Sequence, residues 1–440
     1  MDDRTARRVT DRPLSGETNS SVQDARDRAP RSFLSSSMVG TTNRGLVLQA
    51  LFDLGPTSRA ELARHAGVNR TTISGIVQPL IDGNVLVETG PSQSKRGGGK
   101  PARPLWFSPN ARPICGVLLM PGAVQSCLVT LDGAIIGENR VALPSGDGPV
   151  TPIIKAVKKS IQLAIAGAAR APLGVGVAVG AMVDTDRGSI VAMNLASSLD
   201  GYPLADALRR EFNLPVRLDH HPRALLVGDR WFGKGRGAAQ FAVIYTGEVL
   251  GGAFYFDGHL YRGLAGAGGE LGHTFVQVGG ELCRCGRRGC WDTIATLSWL
   301  RREAKAAGLP RPNDIDSGSL ARLVMAGDGR AADLLDHYAH NIAVGIANVQ
   351  QTLAPSHFIL HGDVVRGGGP MIDAITRHVR CLVPDRPGLN VEISSGDAGD
   401  RTALLGAAGL VLSDFMQCPY STVSALFDGL PAGLAYRRPG

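Results

Sequence analysis

Between residues 270 and 290 the chain concentrates side chains that can hold a metal ion. Glu270 and His273 lie three residues apart. Ten residues further on, Cys283, Cys285 and Cys290 fall within eight positions, with Gly286 and Gly289 among them. Thiolates on so tight a loop can converge on one tetrahedral ion, and His273 can complete a Cys3His set. Such sets are closed to water, and the zinc they hold is structural. Three incidental thiols, or a disulfide, are the alternatives. The N-terminus lacks the apolar core of a signal peptide. Nothing else points to an oxidising compartment, which favours metal over disulfide and makes a cytoplasmic location the expectation.

The elements around this knuckle must come from a large chain. Its 440 residues, 44% hydrophobic, suffice for two or three domains. No apolar run reaches the roughly 18 residues of a membrane span. The net charge of +7 is uneven: residues 1–110 hold 15 Lys and Arg against 10 Asp and Glu. A basic excess at one end hints at nucleic acid. Residues 1–37 are polar and aperiodic and are expected to be disordered. From Asn43 Leu46, Val47, Ala50, Leu51 and Leu54 recur at spacings of three and four, which predicts a helix. Ser58 and Glu61 form a capping-box pattern for a second helix. Asn69 can cap a third, which turns Ile73, Ile76, Val77 and Leu80 inward and leaves Arg70, Thr71, Thr72 and Ser74 outward. Pro79 should kink or end it. Three such helices describe a helix-turn-helix, whose third helix meets base edges with its first residues; Asn69, Arg70, Thr71, Thr72 and Ser74 are the candidates. Two short strands follow, at 85–87 and 105–107. The glycine-rich loop between them carries Lys95, Arg96, Lys100 and Arg103, as the wing of a winged helix would, placed to meet phosphates or a minor groove. Beyond residue 110, strand-like runs at 174–181, 241–245 and 357–360 alternate with helical stretches at 150–170, 331–354 and 398–414, an α/β pattern.

The knuckle resembles the signature of the ROK family (repressor, open reading frame, kinase): Glu-x-Gly-His, then Cys-x-Cys-Gly-x-x-Gly-Cys-x-Glu. Every position matches except the last, where Asp292 stands. The resemblance runs from about residue 43 to about 412. It implies a winged helix-turn-helix over 38–109 and, over 110–415, a two-lobed actin-like body whose lobes share a ribonuclease-H-like core with a zinc knuckle. A tail over 416–440 would follow. It further implies a dimer or tetramer on an operator in double-stranded DNA, whose two-fold symmetry matches the protein's.

The family also contains sugar kinases, and the elements they need are altered here. The first phosphate-binding turn, resembling Gly-Ile-Asp-Ile-Gly-Gly-Thr, has Leu118 for its aspartate and Met120-Pro121 for its glycine pair. The catalytic stretch Glu-Asn-Asp-Ala-Asn becomes Asp219 to Arg223, with His221 at the position of the base and His220 before it. The later glycine turn becomes Gly247 to Ala253, and a Gly-Gly pair becomes Gly362-Asp363. No kinase activity is expected. On the sugar side the resemblance points to Asn194, Glu270 and His273, with His220 and His221 replacing two hydroxyl contacts. Imidazoles titrating near pH 6.5 would add positive charge and favour a sugar phosphate or acidic sugar. The expectation is a ROK-type regulator, most simply a repressor with a sugar-derived effector. A regulator with a vestigial pocket and a kinase with a DNA-binding head are the alternatives.

Overall fold

A computed structural model describes residues 36–90, 103–144, 148–193, 197–386 and 390–417. Lys95, Arg96, Lys100 and Asn194, the chain before residue 36 and the chain after 417 lie outside the described residues.

The N-terminal unit follows the order α1 (Ser36–Leu54), β1 (Thr57–Ser58), α2 (Arg59–His65), α3 (Arg70–Asp82), β2 (Leu86–Glu88) and β3 (Pro104–Phe107). The strands form a small antiparallel sheet in the order β1-β3-β2. Local chemistry sets the helix starts. Ser58 Oγ accepts the Glu61 amide (3.3 Å) and Glu61 Oε2 accepts the Ser58 amide (3.1 Å), the predicted capping box. Asn69 Oδ1 accepts the Thr72 amide (2.8 Å) and opens α3. Two expectations are corrected. Helix α3 runs on through Pro79 to Asp82, with Val77 and Leu80 buried on either side of the proline. Helix α1 begins before Asn43, at Ser36, and of the expected stripe Val47 and Leu51 are buried. Val47, Leu48, Leu51 and Phe52 point inward, whereas Leu46 and Leu54 are 56% and 48% exposed.

The first lobe of the body begins with the meander β4 (Ile114–Met120), β5 (Ala123–Val129) and β6 (Ile135–Ala142). Then come α4 (Val150–Ala166), β7 (Val175–Val179), the hairpin β8 (Met182–Asp184) and β9 (Ser189–Ala192), α5 (Leu204–Phe212), β10 (Val216–His220) and α6 (His221–Phe232). Its sheet runs β10-β7-β4-β5-β6, with β7 parallel to β4 and β10 parallel to β7. The second lobe contains β11 (Phe241–Thr246), β12 (Gly251–Phe256), β13 (His259–Tyr261), α7 (Leu297–Ala306), α8 (Ser317–Met325), α9 (Gly329–Leu353), β14 (His357–Gly362), α10 (Asp363–Arg366), α11 (Gly368–Leu382) and β15 (Glu392–Ser395). Its sheet, β13-β12-β11-β14-β15, repeats the first in order and direction: a three-strand meander flanked by two parallel strands. Strand β7, Val-Gly-Val-Ala-Val, is buried throughout, as a parallel strand covered on both faces must be.

Helix α12 (Arg401–Gln417) returns to the first lobe and crosses α6. Both meetings are made backbone to backbone. A Cβ at Gly176 would run into the Ala407 carbonyl, and one at Gly406 into the Ala224 carbonyl. One apolar core joins these helices to the N-terminal unit. Phe52 of α1 sits among Phe107, Trp231 and Phe232, with ring centroids 4.4, 5.3 and 5.8 Å away. None of the described helices is long and apolar enough to cross a membrane.

Candidate functional site

The junction of β10 and α6 carries the altered catalytic stretch. Pro222 in the first turn suits a helix start, where the missing amide costs nothing. Asp219 is buried and paired with both Arg223 and Arg262, the latter at 2.8 Å. Burial pushes the Asp219 carboxyl up, but the two guanidinium groups together outweigh it and hold the group below its usual range. Arg223 Nη1 also donates to the carbonyls of Gly266 and Gly268, both at 2.9 Å. The buried guanidinium therefore ties the loop after β13 to α6. Neither arginine was singled out in the sequence, although Asp219 and Arg223 stand at ion-pair spacing.

His220 caps α6 without a side-chain hydrogen bond. Its Nδ1 is buried without a partner and lies 3.9 Å from Glu270 Oε1. His221 is buried and packs edge-to-face on Tyr245, centroids 4.7 Å apart. Burial, followed by the Arg223 charge, lowers the pKa of His220 to about 4. Burial, followed by His220 and His361, lowers that of His221 to about 3. Both rings therefore stay neutral well below pH 6.5, which corrects the expectation that they gain positive charge there and attract a phosphate. Burial, which sequence does not display, is the reason. The structure thus gathers His220, Glu270 and His273 and turns His221 away against β11.

The nucleotide elements are filled. Leu118 lies wholly in the core, and Pro121-Gly122 makes the tight turn between β4 and β5, with Gly122 at φ +81°. The Met120 sulfur lies over Gly180, where a Cβ would strike it. In the 247–253 turn, Glu248 pairs with Arg301 (2.6 Å) and its carbonyl accepts from Arg284 (2.7 Å). Asp363 turns inward, accepting from the Ser317 hydroxyl (2.5 Å) and amide (3.2 Å); burial raises its pKa.

The knuckle brings all four proposed metal ligands together. Their ligand atoms lie within 4.8 Å of one another. Cys283 Sγ is 3.7 Å from His273 Nδ1, and the Cys285 and Cys290 sulfurs are 3.6 Å apart. Metal–sulfur bonds of about 2.3 Å in a tetrahedron give edges of about 3.8 Å, so the spacing fits. Burial and the neighbouring Cys285 and Cys283 sulfurs push the Cys290 thiol up to about 12, a crowding that a cation relieves. Gly289, at φ +78°, lets the chain pass the Gln277 carbonyl. Trp291 anchors the loop, its Nε1 donating to Asn341 of α9 (2.8 Å). Asp292 accepts the Leu250 amide (2.9 Å) and lies 4.0 Å from His273 Nδ1. It joins the knuckle to the 247–253 turn.

At the N-terminal unit, Arg70, Thr71 and Thr72 are exposed at the start of α3 and Ser74 is half-buried. The Asn69 side chain is engaged as the helix cap. Arg103 lies 3.7 Å from Glu88 at the base of the β2–β3 loop.

Two lobes with one repeated strand order, a Cys3His cluster and an N-terminal helical unit define a multidomain α/β protein. Residues 122–414 match the ROK family, and the chain belongs to it. It is 26% identical over 385 residues to the xylose repressor of Bacillus spizizenii, an alignment spanning 86% of this chain and 97% of that protein. A glucokinase of Halalkalibacterium halodurans is 29% identical over 252 residues, 54% of this chain and 76% of the enzyme. A solved ROK family transcriptional regulator, a homolog of the Escherichia coli MLC protein, superposes with a TM-score of 0.73 at 20% identity. The superposition covers 89% of this chain and all of that one.

Proposed function

We propose that the chain is a ROK transcriptional regulator, most simply a repressor, that binds double-stranded DNA through an N-terminal winged helix-turn-helix and does not transfer phosphate. The observation that carries this reading is α3. A capped helix in a three-helix, three-strand unit presents Arg70, Thr71 and Thr72 to solvent, in the position from which such helices read the major groove. The similarity to a repressor covers 86% of the chain, whereas that to a glucokinase covers 54%. Lys95, Arg96 and Lys100, with Arg103, are assigned to the wing as phosphate contacts. Domain limits of 38–109 and 110–415, and a symmetric dimer or tetramer, complete the proposal. The filled phosphate turn and the buried, neutral His221 support the loss of phosphoryl transfer, which needs charge to hold and orient the nucleotide.

His273, Cys283, Cys285 and Cys290 are assigned to a structural zinc, which would close the knuckle and supply folding free energy when bound. For the effector, the gap between His220 Nδ1 and Glu270 is the informative geometry. One hydroxyl can accept from Nδ1–H and donate to the carboxylate, satisfying a buried group that otherwise has no partner. Neutral imidazoles favour an uncharged, hydroxylated ligand, with Asn194 and His273 as further contacts. A regulator with a vestigial pocket is the second reading. The Arg223 guanidinium supports it, because it already fills hydrogen-bonding positions on the loop beside Glu270.

Selection of bound sequences from a random DNA pool tests the main reading. Enrichment of a two-fold symmetric site, lost in Arg70→Ala, is expected; recovery of no preferred sequence refutes it. Operator release and thermal shift across neutral sugars, with Glu270→Ala as control, separate the two readings. If Glu270→Ala responds as the native protein does, or nothing moves either observable, the pocket is vestigial.

A further inference from the structure

Helix α6 has a different function at each end. Its N-terminus carries His220 as cap and His221 as first residue, at the candidate ligand pocket. Its last turn carries Arg230 and Trp231, which hold the N-terminal unit. Arg230 makes a two-pronged ion pair with Asp53 of α1, at 2.6 and 3.1 Å. Just past the helix, Arg236 Nε donates to the Phe52 carbonyl (2.9 Å) and the Gly237 amide to Asp53 Oδ1 (3.2 Å). Phe52 itself lies against Trp231 and Phe232. The last residues of α1 are therefore held by side chain, backbone and ring contacts to the last turn of α6 and the segment just after it.

The same turn is gripped by the second lobe. The His361 Nδ1 accepts the Asp397 amide (3.0 Å), so its Nε2 carries the proton and donates to Asp229 of α6 (2.7 Å). Arg230 Nε donates to the Tyr255 hydroxyl of β12 (3.1 Å). Helix α6 meets α12 backbone to backbone, Gly406 against the Ala224 carbonyl and Gly228 against the Thr402 carbonyl, so the two helices pack closely along their shared length. Helix α1 also touches the far end of α12, where a Cβ at Gly45 would strike the Met416 carbonyl. The N-terminal unit is thus seated on the ends of both helices that lie between the lobes.

We propose that α6 is the lever joining the ligand pocket to the DNA-binding unit: occupancy at His220 is read at the Arg230–Asp53 clasp, which sets the position of α1 and, through it, α3. This rests on the regulator reading above and names the path by which its DNA site is controlled. A bound ligand shifts DNA affinity only through its different affinity for the two arrangements. A rigid helix whose far end is held by charge-assisted bonds supplies two discrete arrangements, clasp made and clasp broken.

A double-mutant cycle between His220→Asn and Asp53→Asn tests the lever. The helix between them has 12 residues, or about 18 Å at 1.5 Å per residue. Changes that far apart with no shared partner should combine multiplicatively. Two readouts are taken on the full chain: affinity for DNA that the native protein selects from a random pool, and amide exchange along α1. The lever requires the double variant to depart from the product of the single effects by about three-fold or more in exchange and in affinity. Arg230→Lys, which keeps the charge and loses the two-pronged geometry, should reproduce the faster α1 exchange of Asp53→Asn and guards against a misfolded variant. Multiplicative behaviour within about two-fold in the exchange readout overturns the proposal. If the native protein selects no DNA, the regulator reading fails by itself, and the exchange cycle still decides whether the lever exists.

Discussion

Lowering the pH should destabilise this fold through two specific imidazoles. His220 and His221 have folded-state pKa values lowered from 6.5 to about 4 and about 3. A group depressed on folding contributes stability that is complete above its unfolded pKa and is lost as pH falls toward the folded one. The window is therefore pH 6.5 down to about 3. At pH 5 an unfolded imidazole is almost fully protonated while the folded rings are still neutral. At about 1.4 kcal/mol per pH unit, each ring costs about 2 kcal/mol there relative to pH 7.5, or about 4 kcal/mol for both. Asp363 and Glu270, raised by burial, act in the opposite direction. A comparison with His220→Asn/His221→Phe cancels these shared terms and keeps a ring against Tyr245. Urea unfolding of both proteins at pH 7.5 and 5.0 should show the native chain losing about 4 kcal/mol more than the variant across that interval. Equal losses would refute the claim that these rings are held neutral by burial, and with it the preference for an uncharged ligand.

Three further outcomes are expected. Purified protein should hold one zinc per chain by elemental analysis, and Cys290→Ser should lose it together with stability; a zinc-free native chain contradicts the assignment. Arg70→Ala should weaken binding to the selected DNA site by about 1–3 kcal/mol, while neutralising Lys95, Arg96, Lys100 and Arg103 together should flatten the salt dependence; an unchanged slope removes the wing from the interface. No ATP-dependent phosphorylation is expected across a panel of hexoses, and any turnover abolished by His221→Ala would reverse the reading of the catalytic stretch.

The parts legible in the sequence are those fixed by local chemistry. The capping box at Ser58, the Asn69 cap and the cysteine spacing each depend on residues a few positions apart, and all three hold in the structure. The stripe of α1 was legible in part: Val47 and Leu51 are buried, but Leu48 and Phe52, which meet α6 and α12 as well as their own unit, were missed. The histidine pair was misjudged because its charge state depends on burial by distant segments. Arg230 and Asp53 lie 177 positions apart, so no spacing rule could have joined them. The altered phosphate turn, by contrast, was readable, since Leu118 and Pro121 are chemically unsuited to phosphate wherever they fold.

The glycine seam along α12 also limits how this protein can change over generations. Every base change in a glycine codon that alters the amino acid adds at least a Cβ. At Gly406 and Gly176 that atom would collide with the carbonyl oxygens of Ala224 and Ala407, which cannot rotate aside as a side chain does. No small first step therefore leads away from either position. Along the line on which α12 lies against β7 and α6, an added carbon at these glycines would have to move backbone.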